Sequence, residues 1–152
     1  MNAEQSTRTR ILVIEDNPLD VEVVTLALNE EPWPVETVVA EDREKAITLL
    51  TQQAAHPAAR KPDFVVLDLN VPRRDGTEVL RTIRSTKTLS GVPVGVLSSS
   101  PGEVIEDRLT AAHVTVDGHF TKPSDIHDFL RLGTALRLWY ERQTRTRAQG
   151  SS

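Results

Sequence analysis

A doubly wound α/β fold with a five-stranded parallel sheet is predicted by three features of this chain. Its apolar runs, such as Ile11-Leu12-Val13-Ile14 and Phe64-Val65-Val66-Leu67, are continuous rather than alternating, as in strands covered on both faces. Amphipathic stretches separate the runs in five successive βα units, which implies a three-layer sandwich with right-handed crossovers. Four runs deliver a functional group to their C-terminal end: Glu15 and Asp16, then Asp68, Ser98 and Lys122. Ligands of such sheets bind outside those ends, where strand order reverses.

The first strand covers residues 11–14. The next stretch, Pro18 to Glu31, has Val21, Val24 and Leu28 on one stripe, with Asn17 as N-cap and Pro18 at the first helical position. Trp33 to Val39 reads as the second strand, and Arg43 to Gln53 as a helix burying Ala46, Ile47, Leu49 and Leu50. Residues 54–62 form a surface link longer than an αβ loop needs. After the third strand comes a turn at Pro72–Gly76, then a helix from Thr77 to Ser85 with Val79, Leu80 and Ile83 inward. Val92 to Leu97 is the fourth strand, Glu103 to Ala112 a weak polar helix, and Val114 to Phe120 contains the fifth strand. The last helix opens at Ser124 and runs to about Arg142. The expected organisation is a flexible N-terminus (1–9), one domain (10–142) and a flexible basic tail (143–152).

That last helix carries more apolar surface than one covered face requires. Ile126, Phe129, Leu130, Gly133, Leu136 and Tyr140 form the expected inward stripe. Leu132, Ala135 and Trp139 form a second, displaced stripe, expected to be the interface of a homodimer.

Composition excludes several classes. At 152 residues the chain is one ordinary domain with room for a core. It has no cysteine, so neither disulfides nor thiolate metal ligands are available. A net charge of −4 gives no general reason to bind nucleic acid. Arg137, Arg142, Arg145 and Arg147 suit the C-terminal end of a helix dipole. No stretch approaches the roughly 20 apolar residues of a membrane span, and the opening MNAEQSTRTR lacks a signal peptide's apolar segment. A cytoplasmic location, without membrane or nucleic-acid partners, is the expectation.

The strand-end groups define a chemistry. Asp68 follows a buried strand and can attack an activated phosphoryl donor to form an acyl phosphate. Attack requires a hard cation to offset repulsion between the carboxylate and the phosphoryl oxygens. Glu15 and Asp16, with Asp68 and the backbone carbonyl of Asn70, can ligate Mg²⁺ or Mn²⁺; a site without histidine or cysteine disfavours zinc. Lys122 can bridge Asp68 to a phosphoryl oxygen, and Ser98 can donate a hydrogen bond to another. Pro123 restricts Lys122 to extended or turn geometry, and a cis bond before it is an open option.

With these residues in place, the chain resembles a response-regulator receiver domain of two-component signalling. The resemblance rests on ILVIEDNPLD (11–20), VVLDLNVPRRDGTEVL with Val65 before it, PVGVLSSS (93–100) and FTKP (120–123). It implies a CheY-like, flavodoxin-like sheet of order 2-1-3-4-5 with five helices. It also implies Asp68 as phosphoacceptor, Asp16 as direct Mg²⁺ ligand and Glu15 as ligand through water. The Asn70 carbonyl would complete the protein ligands, Ser98 would be the switch hydroxyl and Lys122 the phosphate-sensing lysine. The NPLD start, the long link before Phe64 and the aromatic last helix are similar to small regulators that partner bacterial phytochromes, which implies a sensor histidine kinase of that type as donor. One departure is His119, three residues before the lysine, where the family usually has Tyr or Phe; its ring could still rotate as a switch. Only a dozen residues follow Tyr140, too few for an output module, so a single-domain regulator is expected rather than an enzyme.

Two other readings compete. A haloacid-dehalogenase-type phosphatase also uses a strand-end Asp and a Lys, but it needs a second Asp as general acid at the position of Asn70. A receiver-like interaction module independent of phosphorylation would have no use for the intact set of acids, hydroxyl and lysine.

Overall fold

A computed structural model describes residues 8–56, 60–69, 75–99, 107, 109–111 and 113–150. In chain order the elements are β1 (Thr9–Ile14), α1 (Pro18–Asn29), β2 (Val35–Ala40), α2 (Arg43–Ala55), β3 (Phe64–Asp68) and α3 (Asp75–Ser85). There follow β4 (Val94–Ser98), α4 (described at residues 107 and 109–111), β5 (Gly118–Thr121) and α5 (Ile126–Gly150). The five strands form one parallel sheet of order β2-β1-β3-β4-β5, as the sequence predicts. Strand order reverses between β1 and β3, so a crevice opens there at the C-terminal edge. Among the described residues, no helix is long and apolar enough to cross a membrane.

The continuous apolar runs are buried on both faces: every residue of β3 and β4 is buried. One face packs Leu12, Val65, Leu67, Val94 and Val96 against Ala46 and Leu50 of α2 and Val79, Leu80 and Ile83 of α3. The other packs Ile11, Val13, Phe64, Val66 and Leu97 against Val24 and Leu28 of α1 and Phe129, Leu132, Leu136 and Trp139 of α5. Every aromatic ring of the chain belongs to this second layer, so the first layer is closed by aliphatic side chains alone.

Several boundaries move. Asn17 caps α1 as expected, its Oδ1 accepting from the N–H groups of Leu19 and Asp20. β1 begins at Thr9, inside the expected flexible N-terminus, because Asp63 ties down Arg10 through both backbone and carboxylate. β2 starts two residues later than expected, after Trp33 has turned its indole N–H to the Leu28 carbonyl. α5 starts after Asp125, whose carboxylate accepts from Asp128 N–H, and runs on through Gly150. The tail expected from 143 is therefore helical, extended by good helix formers and an Arg137–Glu141 pair one turn apart. No cis peptide bond occurs among the described residues, so Lys122–Pro123 is trans.

The dimer stripe needs correction. Leu132 and Trp139 are buried in the protein's own core, and of the three only Ala135 is exposed. α5 is rotated relative to the predicted stripe, leaving Ile126, assigned inward, 50% exposed. The reason is that α5 rests on the sheet and on α1 together, so its buried arc is wide and centred on Gly133 and Leu136. Several expectations lie outside the described residues: Asn70, positions 72–74 of the turn, most of the weak helix at 103–112, and residues 1–7.

Candidate functional site

Register gathers the predicted groups. Ile14 pairs with Leu67, Asp68 with Leu97, and Ser98 with Thr121, so each functional residue stands within about one residue of a common edge. The ladder continues past the strands, with Glu15 N–H donating to the Ala40 carbonyl at 3.1 Å and Lys122 N–H to the Ser98 carbonyl at 2.8 Å. These bonds fix where Glu15 and Lys122 leave the sheet. Glu15, Asp68 and Ser98 are buried at the crevice, whereas Asp16 is exposed at its mouth.

Lys122 is the hub. Its Nζ lies 2.7 Å from Glu15 Oε1, 2.7 Å from Asp20 Oδ2 and 2.9 Å from Asp68 Oδ2, and the side chain is only 9% exposed. Burial alone would lower the ammonium's pKa, but its interactions with the carboxylates of Asp20, Glu15 and Asp68 outweigh it and raise the pKa above the lysine norm. Glu15 is pushed up to about 8, first by burial and then by its hydrogen bond to Asp68, against the opposing effect of Lys122. One ammonium does not balance this many buried acids, so Glu15 holds a proton near neutral pH.

A dication would supply the missing charge. Glu15, Asp16 and Asp68 each present one carboxylate oxygen, all within 4.8 Å of one another. An all-oxygen set of this kind fits a hard divalent cation. The structure thus brings together Glu15, Asp16, Asp68, Ser98 and Lys122. It does not bring in His119, which lies exposed on β5 opposite Val96 in register.

Sequence reasoning missed Asp20. An acid in a first helical turn reads as a complement to the helix dipole, and Asp20 has that position in α1. The available signal was its place three residues after the N-cap. Side chains there lean back over the preceding turn, here the crevice.

An acid pair, a central aspartate, a hydroxyl and a lysine on the C-terminal edge of a 2-1-3-4-5 sheet define a class of α/β module built round one buried aspartate. The chain belongs to the response regulator receiver domain family, whose pattern it matches over residues 11–132. It is 29% identical over 145 residues to response regulator Rcp1 of Synechocystis sp., covering 95% of this chain and 97% of Rcp1. It is 35% identical over 128 residues to the probable transcriptional regulatory protein TcrX of Mycobacterium tuberculosis, covering 84% of this chain but 49% of TcrX. It likewise spans about half the length of other transcriptional regulators it matches. Among solved structures, the phosphorylated cyanobacterial phytochrome response regulator RcpA superposes with a TM-score of 0.74 at 32% identity, over 88% of this chain and 94% of RcpA. The Mn²⁺-bound form of Rcp1 gives 0.70 at 29% identity, over 84% of this chain and 91% of that one.

Proposed function

We propose that the protein is a cytoplasmic response regulator, switched when a sensor histidine kinase of phytochrome type transfers a phosphoryl group to Asp68. The observation that carries this reading is the Lys122 ammonium, held 2.9 Å from Asp68 in a buried crevice beside two further acids that can bind a cation. The kinase type is supported by likeness to Rcp1 and RcpA over nearly the whole chain. Mg²⁺, with Mn²⁺ as a substitute, would be held by Glu15, Asp16, Asp68 and the Asn70 carbonyl. Bound there it would neutralise charge on the transferring phosphoryl group.

The protein's own groups do the rest. An Asp68 carboxylate oxygen forms the new bond to phosphorus as the bond to the donor's leaving group breaks; the leaving group departs with its electron pair. Lys122 turns part of its hydrogen bonding from carboxylates to phosphoryl oxygens. The Ser98 hydroxyl donates to another phosphoryl oxygen, and its movement alters the β4–β5 edge. His119, exposed on β5, lies on the surface that would change. The protein is a regulator that is modified, rather than an enzyme turning over a separate substrate. A homodimer through α5 would have to use exposed apolar positions such as Ile126, Ala135 and Leu138, in place of Leu132 and Trp139.

The test is intact-mass measurement after incubation with Mg²⁺ and acetyl phosphate. The wild type gains one phosphoryl group, whereas D68N, or the wild type in EDTA, gains none. An unmodified wild type would overturn the proposal.

A further inference from the structure

The crevice holds one more carboxylate than phosphoryl transfer uses. Asp20 Oδ2 lies 2.7 Å from Lys122 Nζ, as close as Glu15 and closer than Asp68. It is nevertheless outside the trio of acids whose oxygens converge for a cation. An acid three residues after an N-cap commonly reaches back to the cap's own N–H. Here the Asn17 N–H donates to Glu15 Oε2 at 3.2 Å, and Asp20 is directed to the lysine instead.

Glu15 and Asp68 accept hydrogen bonds from the ammonium and Asp20 forms a third ion pair with it at 2.7 Å, so three acids contend for its three hydrogens. A phosphoryl group on Asp68 needs one of them. Glu15 and Asp68 are buried against Lys122, with side chains 2% and 4% exposed, and are held there by the sheet ladder. The Asp20 side chain is 22% exposed, so water can replace the lysine at that carboxylate at the smallest desolvation cost.

We propose that Asp20 is a positioning residue: it holds Lys122 in the unphosphorylated protein and competes with the phosphoryl group for its ammonium. The inference rests on Asp68 being the acceptor. Asp20 thereby slows acquisition of the phosphoryl group, and neutralising it releases Lys122 to the phosphoryl oxygens.

The test compares wild type, D68N, D20N, D20E, K122Q and D20N/K122Q for labelling by acetyl phosphate at saturating Mg²⁺, followed by intact mass. D20N should label about threefold or more faster than wild type, a factor within reach of one ion pair. D20E, which keeps the charge, should stay near the wild-type rate. The K122Q background should show no gain from D20N, including the case in which neither protein labels. A D20N rate at or below wild type, or the same gain without Lys122, overturns the competition while leaving Asp68 as acceptor. An unlabelled wild type overturns both readings. Independently of labelling, the ε-methylene NMR signals of Lys122 in the metal-free protein should shift in D20N, and unmoved signals would also refute the contact.

Discussion

Trp139 lies across two strands that leave room for it only because each carries a glycine. A Cβ on Gly95 would come within 3.3 Å of the indole ring, and one on Gly118 within 2.7 Å of its Nε1. The ring sits edge-on to Phe64 and Phe120, at 5.7 and 5.6 Å between centroids, and its N–H donates to the Asp117 carbonyl at 3.3 Å. W139A should therefore destabilise the protein by about 3–5 kcal/mol, read from urea unfolding, rather than dissociate a dimer. Sedimentation of the still-folded variant should show no change of mass; an unchanged unfolding midpoint with a lost dimer would reverse this assignment. At this scale the site was largely legible. Glu15, Asp68, Ser98 and Lys122 each end or directly follow a strand, and a strand end has one place to be in a parallel sheet. Asp20 and Trp139 were not, because their surroundings depend on how helices sit against that sheet.

Helix placement is decided by close approach rather than by stripe counting. Gly133 of α5 lies directly over the backbone of Ala27 in α1, so that an added methyl would overlap the Ala27 carbonyl. This contact sets the rotation of α5, brings Leu132 inward and leaves Leu138 outside. Thr134, next to Gly133, and Arg137, one turn of α5 further on, both donate to Glu31 just beyond the end of α1, at 2.8 and 2.7 Å. G133A should push the two helices apart and cost about 1–3 kcal/mol by chemical denaturation, despite alanine's better helix propensity. A stabilised variant would show that α5 can roll away from α1 without penalty. The strands, by contrast, were legible from their unbroken apolar runs, within about two residues at most ends. β5 was the hardest to bound, being four residues long with a half-exposed pattern. Glycine in two adjacent strands was the overlooked sign that a large ring covers them.

Across the molecule, the sheet concentrates acid at one edge, and stability should depend on how that charge is met. Glu15 has an ordinary carboxyl pKa when unfolded and about 8 when folded, so the folded state binds more protons between pH 4.5 and 8. By linkage, its contribution to stability is full below pH 4.5 and is lost as pH rises through 8. The other shifted buried group does not cancel this. Lys122 is raised above its ordinary 10.5, so its window lies at higher pH. Asp125, lowered from 3.8 by backbone hydrogen bonds from the first turn of α5, acts at lower pH. The metal-free protein should therefore melt at progressively lower temperature from about pH 5 to pH 8.5 in EDTA. A dication replaces the proton, so Mg²⁺ should raise the melting temperature more at pH 8 than at pH 6, and its binding should release a proton measurable by calorimetry in two buffers. E15Q, neutral at every pH, should flatten the metal-free curve. A wild-type curve already flat in EDTA, or a Mg²⁺ effect independent of pH, would mean that the acids at this edge are ionised and screened without help from either proton or cation.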